Sequence, residues 1–262
     1  MIWIAALAAA YAALTGVACL AQRPLLFPAP HRGEEPVFGA ARLLRIPSPG
    51  GEVLALYAPA PAGAPTLVHF HGNGEELADG ALLASRFHQA GLGVLTVEYP
   101  GYGMATGAPS ERAIYDAAEV ALAHLQGELG VPRDQVVLEG QSLGTGVATE
   151  MAARGHGARV VLLSPFTSIV DMASRFAPFL PARLYVRDRF DNAAKAPRIA
   201  VPVLVVHGAR DALIPVAHGR RLAGLFPAGR FEEQPDRGHN DLFAVPGSPL
   251  VQRIAAFARG EP

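Results

Sequence analysis

The stretch that most constrains this chain is Gly140-Gln141-Ser142-Leu143-Gly144, because of what flanks it. Before it runs a β-branched apolar segment, Gln135-Val136-Val137-Leu138-Glu139, and after it residues 145–154 have helical character. A strand that becomes a helix within five residues must bend so sharply that side chains at the ends of the turn would meet neighbouring backbone. Glycine at both ends removes that conflict. The same bend pushes the central serine hydroxyl out of the sheet into a cleft, so Ser142 is the expected nucleophile. The five-residue pattern recurs by chance in loops, and its weight comes from the strand before it and the helix after it.

Around this turn the chain alternates strand and helix patterns. Residues 42–57 read as a hairpin about Pro49-Gly50-Gly51, and Thr66-Leu67-Val68-His69-Phe70 reads as a buried strand. A helix over 78–90, a strand over 93–98, a helix over 110–128 capped by Ser110, and a strand over 160–163 follow. Pro202 to Gly208 reads as a further buried strand and Arg230-Phe231-Glu232-Glu233 as a last short one. Such alternation predicts an α/β fold with a mainly parallel central sheet covered by helices on both faces. It breaks over about 165–200, where Phe166, Met172, Phe176, Phe179, Leu180, Leu184, Tyr185 and Phe190 are interrupted by Pro178 and Pro181. That segment is expected to form a small cap, its apolar residues either facing an acyl chain or packing onto the main domain.

A serine hydroxyl is a poor nucleophile at its own pKa and needs a base, itself oriented by an acid. Asp211 stands just past the C-terminal end of the strand at 202–208, where ligand sites of open α/β sheets lie. His239 stands in the loop Asp236-Arg237-Gly238-His239-Asn240-Asp241 after the last strand. The order Ser, acid, His makes Asp211 the expected acid and His239 the expected base. Asp171, shortly after the strand ending at Leu163, is the alternative acid. His71-Gly72-Asn73-Gly74 follows a strand directly, so the backbone N–H of Asn73 and that of Leu143, next to the nucleophile, are the expected oxyanion donors. Of the other histidines, His69 and His207 belong to strands and read as structural, and His71 reads as a residue that orders its loop. The sequence has no His-x-x-x-His or carboxylate-rich cluster that would supply three ligands to a Zn²⁺ ion, so neither a metal nor a cofactor is expected.

These pieces resemble the α/β-hydrolase superfamily, and more narrowly its membrane-anchored abhydrolase-domain serine hydrolases, whose relatives include lysophospholipid lipases, depalmitoylases and serine aminopeptidase-like proteins. The resemblance rests on Leu26-Phe27-Pro28, His71-Gly72-Asn73-Gly74, Glu98-Tyr99-Pro100-Gly101-Tyr102-Gly103, Pro109-Ser110-Glu111, Gly140-Gln141-Ser142-Leu143-Gly144, Ser164-Pro165-Phe166-Thr167-Ser168, Asp188-Arg189-Phe190-Asp191-Asn192, His207-Gly208-Ala209-Arg210-Asp211 and Gly238-His239-Asn240. One departure is Met104, where relatives more often carry Ser. The resemblance implies hydrolysis of carboxylic ester or thioester bonds of acyl or lipid-like substrates through an acyl-enzyme intermediate. Two other readings stay open: a serine aminopeptidase-like amidase, since the same triad cleaves amides, and a catalytically silent membrane-tethered scaffold.

Composition adds limits. The 262 residues are half hydrophobic with net charge −1, enough for one large domain at 37–262 with a well-buried core. Positive residues are scattered singly, so the electrostatic footprint of a nucleic-acid binder is missing. The single cysteine, Cys19, excludes an internal disulfide. Residues 2–21 carry no charge and match the length a bilayer demands of a helix, so 1–21 is expected to be a membrane anchor. A cleaved signal that exports the domain is the alternative, and the missing basic residue at the start weighs against it. Residues 22–36 read as a Pro-rich connector. Arg23, Arg32, Arg42 and Arg45 follow the apolar run and, by the positive-inside tendency, would keep the domain cytoplasmic.

Overall fold

The computed structural model describes residues 1–30, 36, 39–244 and 249–261. In chain order the elements are α1 (Ile2–Leu26), β1 (Arg42–Ser48), β2 (Gly51–Ala58), β3 (Thr66–Phe70), α2 (Leu77–Gln89), β4 (Gly93–Val97), α3 (Glu111–Gly127), β5 (Val136–Gln141) and α4 (Gly144–Ala153). Then come β6 (Arg159–Leu163), α5 (Ile169–Phe176), α6 (Ala182–Tyr185), α7 (Asn192–Lys195), β7 (Val203–Gly208), α8 (Val216–Ala223), β8 (Gly229–Gln234) and α9 (Pro249–Arg259).

The eight strands form one sheet in the order β1-β2-β4-β3-β5-β6-β7-β8. β2 pairs antiparallel with β1 and β4, and β3 to β8 run parallel. Every residue of β3, β4 and β7 is buried, as a parallel strand covered on both faces requires. Successive residues alternate between two cores: Val68, Phe70, Leu95, Val97 and Leu138 point into one, Leu67, Val94, Val137, Val161 and Val206 into the other. α3 covers the first face with Ile114, Ala118, Ala121, Leu122 and Leu125 at helical spacing, and Ser110 Oγ accepts the Ala113 N–H at 3.1 Å as its N-cap. α9 covers the second with Leu250, Ile254, Ala255, Phe257 and Ala258.

Connections from β3 run through α2 outward to β4, then return over β3 through α3 to β5. This reversal is the switch point of the sheet, and the C-terminal ends of β3 and β5 lie side by side there, where open α/β sheets bind ligands.

The segment between β6 and β7, the expected cap, divides its apolar residues. Phe166, Met172 and Phe190 join the main core, and Ala182, Tyr185 and Val186 form a small cluster of their own. Phe176, Phe179 and Leu184 remain 63%, 64% and 82% exposed.

α1 is longer than the uncharged run at its start. It continues beyond residue 21 to Leu26, through Pro24, and Phe27 N–H closes its last turn on Arg23 O at 2.7 Å. The helix persists because its end is held by distant residues. Gln22 Nε2 donates to Tyr185 O at 2.8 Å, Arg187 N–H to Gln22 Oε1 at 2.7 Å, and Arg23 Nε to Asp188 Oδ2 at 2.8 Å. Phe27 is buried edge-on against Phe190 with ring centroids 6.2 Å apart. The first part of the expected connector is therefore docked chain. Its residues 31–35, and 37–38 at the expected start of the domain, lie outside the described residues.

Candidate active site

Ser142 follows β5 directly with φ at +51°, a left-handed conformation that costs free energy for a residue with a Cβ. Local bonds hold it there. Its N–H donates to Leu163 O at 2.9 Å, and its carbonyl accepts the Thr145 N–H at 3.0 Å and the Thr145 hydroxyl at 2.6 Å. The flanking glycines are demanded by close approach: a Cβ at Gly140 would stand 2.2 Å from Gly144 O, and one at Gly144 would stand 1.9 Å from Phe70 O. The second contact shows that α4 begins hard against the end of β3, bringing the loop after β3 beside the serine.

Three side chains expected to act together do meet. His239 Nε2 lies 3.0 Å from Ser142 Oγ, and His239 Nδ1 lies 2.7 Å from Asp211 Oδ2. A carboxylate only accepts, so the imidazole proton belongs on Nδ1, and the Nε2 lone pair is left to accept the serine hydroxyl. These distances are what the expected nucleophile, base and orienting acid would require of one another. His239 reaches Asp211 because Gly208, at the end of β7, lets its loop pass: a Cβ there would stand 2.4 Å from Arg237 O. Arg210 N–H donates to Arg237 O at 2.8 Å and pins the same loop.

Asp211 is 7% exposed. Its Oδ1 accepts the N–H groups of Leu213 at 2.9 Å and Ile214 at 2.7 Å. Burial alone would push the carboxyl up, but hydrogen bonds from His207, His239 and the Ile214 N–H outweigh it and hold the group far below the usual carboxylate range. Asp211 thus stays ionised, as a partner of an imidazolium must. Asp171, the alternative acid, is engaged elsewhere: its Oδ2 accepts the Thr167 hydroxyl at 2.5 Å, and Thr167 Oγ1 lies 2.9 Å from His218 Nδ1.

The loop after β3 is braced from below. His71 is buried, its Nε2 3.0 Å from Glu98 Oε1 and its ring stacked 3.9 Å from that of Tyr99. Tyr99 Oη donates to His71 O at 2.8 Å, and Glu98 Oε2 accepts the Leu77 N–H at 2.9 Å. A Cβ at Gly72 would stand 3.7 Å from Ser142 Cβ, which brings the loop that carries Asn73 beside Ser142. Leu143 lies at the N-terminus of α4, where N–H groups have no acceptor within the helix. Leu143 and Gly72, the residue before Asn73, thus both border Ser142. A Cβ at Gly74, by contrast, meets nothing within 4 Å, so no protein contact requires a glycine there.

Two contributors escape a reading of the sequence. His207 Nε2 lies 2.8 Å from Ile214 O and 3.2 Å from Asp211 Oδ2, so this strand histidine, structural as expected, also braces the acid. Glu75 accepts the Gly72 N–H at 2.7 Å and the Gln141 amide at 3.4 Å, tying the loop after β3 to the residue before Ser142. No local pattern marks either role, because each depends on contacts made only by the folded sheet.

Comparison with known proteins agrees with this architecture. The model of the Alpha/beta hydrolase family matches residues 67–200. An uncharacterized protein of Mycobacterium tuberculosis is 32% identical over 194 residues, covering 74% of this chain and 69% of that protein. Alpha/beta hydrolase domain-containing protein 17B of Homo sapiens is 34% identical over 187 residues, covering 68% of this chain and 61% of that one. Among solved structures, the esterase Pf2001 of Pyrococcus furiosus superposes with a TM-score of 0.71 at 16% identity, covering 89% of this chain and 98% of that one. A monoacylglycerol lipase of Paleococcus ferrophilus superposes with a TM-score of 0.61 at 22% identity, covering 80% and 99%. At those identities the structures speak for the fold, and family membership rests on the sequence matches. The chain belongs to the alpha/beta hydrolase family.

Proposed function

We propose that the protein is a membrane-anchored serine hydrolase that cleaves carboxylic ester or thioester bonds of acyl or lipid-like substrates. The observation that carries this reading is the continuous hydrogen-bonded path from Ser142 Oγ through His239 to the ionised Asp211. In the first half-reaction His239 Nε2 takes the Ser142 proton as Oγ bonds to the acyl carbon. The backbone N–H groups of Asn73 and Leu143 receive the oxyanion, and Asp211 stabilises the imidazolium. Collapse expels the alcohol or thiol with the proton from His239, leaving Ser142 acylated. A water activated by the same histidine then releases the acid. The esterase and lipase named among the structural neighbours fit this chemistry. α1 supports the anchor: it has the length and composition to cross a bilayer, and none of its most apolar stretch is buried in the fold.

The test is hydrolysis of a p-nitrophenyl ester series, from acetyl to palmitoyl, by the full chain in detergent micelles, with Ser142→Ala beside it. The expected result is turnover that vanishes in the variant, and fluorophosphonate labelling that vanishes with it. Turnover retained by Ser142→Ala would refute the assignment. No turnover on any ester, together with no labelling of the wild type, would favour the silent scaffold.

A further inference from the structure

We propose that the tip of the cap is a membrane-docking surface, seated in the same bilayer leaflet that α1 enters. The inference rests on α1 being the anchor and follows from where the cap touches it. Tyr11 Oη donates to Phe179 O at 3.0 Å, and Ala18 and Cys19 pack against the Ala182, Tyr185 and Val186 cluster. The cap therefore flanks α1 from Tyr11 onward. From Ile2 to Tyr11 the helix rises only about 14 Å at 1.5 Å per residue. A hydrocarbon core is about 30 Å thick. If lipid received only the part of α1 beyond the cap, about half the core would be filled and most of residues 12–21 would stay in water. If lipid receives the whole uncharged run, it also receives the cap beside Tyr11.

The cap is built for that environment. Its three large exposed apolar side chains, Phe176, Phe179 and Leu184, are each more than 60% exposed and flank this contact. Loop backbone in lipid must have its polar groups satisfied by protein. Here the Phe179 carbonyl accepts Tyr11 Oη and the Leu180 N–H donates to Ala177 O at 3.0 Å. Arg175, Arg183 and Arg187 are exposed next to this apolar tip. Residues 165–200 hold six Lys or Arg against three Asp, in a chain whose net charge is −1. Long cationic side chains beside an apolar tip suit the interface of an anionic leaflet, with their heads at the phosphates.

Trp3 is the chain's one tryptophan, so the anchor and the cap can be probed separately. The full chain is reconstituted into vesicles of phosphatidylcholine and phosphatidylglycerol with brominated acyl chains. Wild-type emission reports α1, and Phe179→Trp in a Trp3→Phe background reports the cap, its thermal melt compared with wild type to certify the fold. The expected result is a blue shift and at least twofold quenching for both probes. Quenching of Trp3 with none of Phe179→Trp would overturn the docking surface and leave the anchor standing. Quenching of neither would overturn both.

Discussion

Gly144→Ala tests the architecture of the nucleophile turn most directly. The added methyl would stand 1.9 Å from Phe70 O, 2.5 Å from Phe70 C and 2.9 Å from His71 O, all backbone atoms at the end of β3. Ordinary contact between a carbon and a carbonyl oxygen needs roughly 3.3 Å, so the turn and the strand end must part by more than an ångström. No flexible side chain is there to yield. Overpacking of this kind typically costs about 1–3 kcal/mol, and a close-packed backbone contact belongs at the upper end. For a domain of this size that lowers Tm by about 2–4 °C per kcal/mol. The displacement also separates Asn73 from Leu143, because Phe70 leads into the loop that carries Asn73. Loss of one oxyanion donor costs about 2.7–4 kcal/mol, so kcat should fall by about 10²–10³ while the protein remains folded. Gly127→Ala is the internal control: nothing lies within 4 Å of its Cβ, and a helical Gly replaced by Ala gains up to about 1 kcal/mol. Thermal melts and p-nitrophenyl ester kinetics on the two variants decide the matter. Wild-type kcat and Tm in Gly144→Ala would refute the claim that this glycine sets the oxyanion site.

Asp211→Asn should lower kcat by about 10⁴ with little change in KM, since the amide cannot hold His239 in the required tautomer; a loss under tenfold would remove Asp211 from the proposed triad. Because the folded-state pKa of Asp211 lies below its ordinary value of 3.8, its ionised form contributes stability that is fully present above that pH and is lost as pH falls toward the folded value. Thermal melts from pH 7 down to pH 3 should show the wild type losing more Tm than Asp211→Asn, and parallel losses would contradict the assignment. Asp188→Ala should destabilise by about 1–3 kcal/mol, because the buried carboxylate also accepts the Glu111 N–H at 2.9 Å and not only Arg23; urea melts that match wild type would show that the α1 contact is incidental.

What the sequence discloses and what it conceals separate along physical lines. β7 is legible because a strand buried on both faces must be apolar at every position, and Val203-Leu204-Val205-Val206 is. The nucleophile turn is legible because two backbone approaches near 2 Å leave glycine as the only residue that fits. The fate of the cap aromatics is not legible. Short helices broken by Pro178 and Pro181 have no period, so nothing local says that Phe166 and Phe190 enter the core while Phe176 and Phe179 stay outside. The end of α1 is concealed for another reason. Gln22 and Arg23 follow an apolar run and precede a proline, which locally reads as a boundary, yet their partners Tyr185 and Asp188 lie more than 160 residues away. His207 shows the same logic at the site. Its place in β7 predicts burial, and burial is correct. Its contact with Asp211 arises only because the chain after β7 folds back so that Ile214 O meets Nε2. Residues whose role follows from their own backbone can thus be found in the chain alone. Residues that act by bracing another need the fold, which is why the three proposed triad members could be named from the sequence while His207, which braces Asp211, and Glu75, which ties the loop after β3 to Gln141, could not.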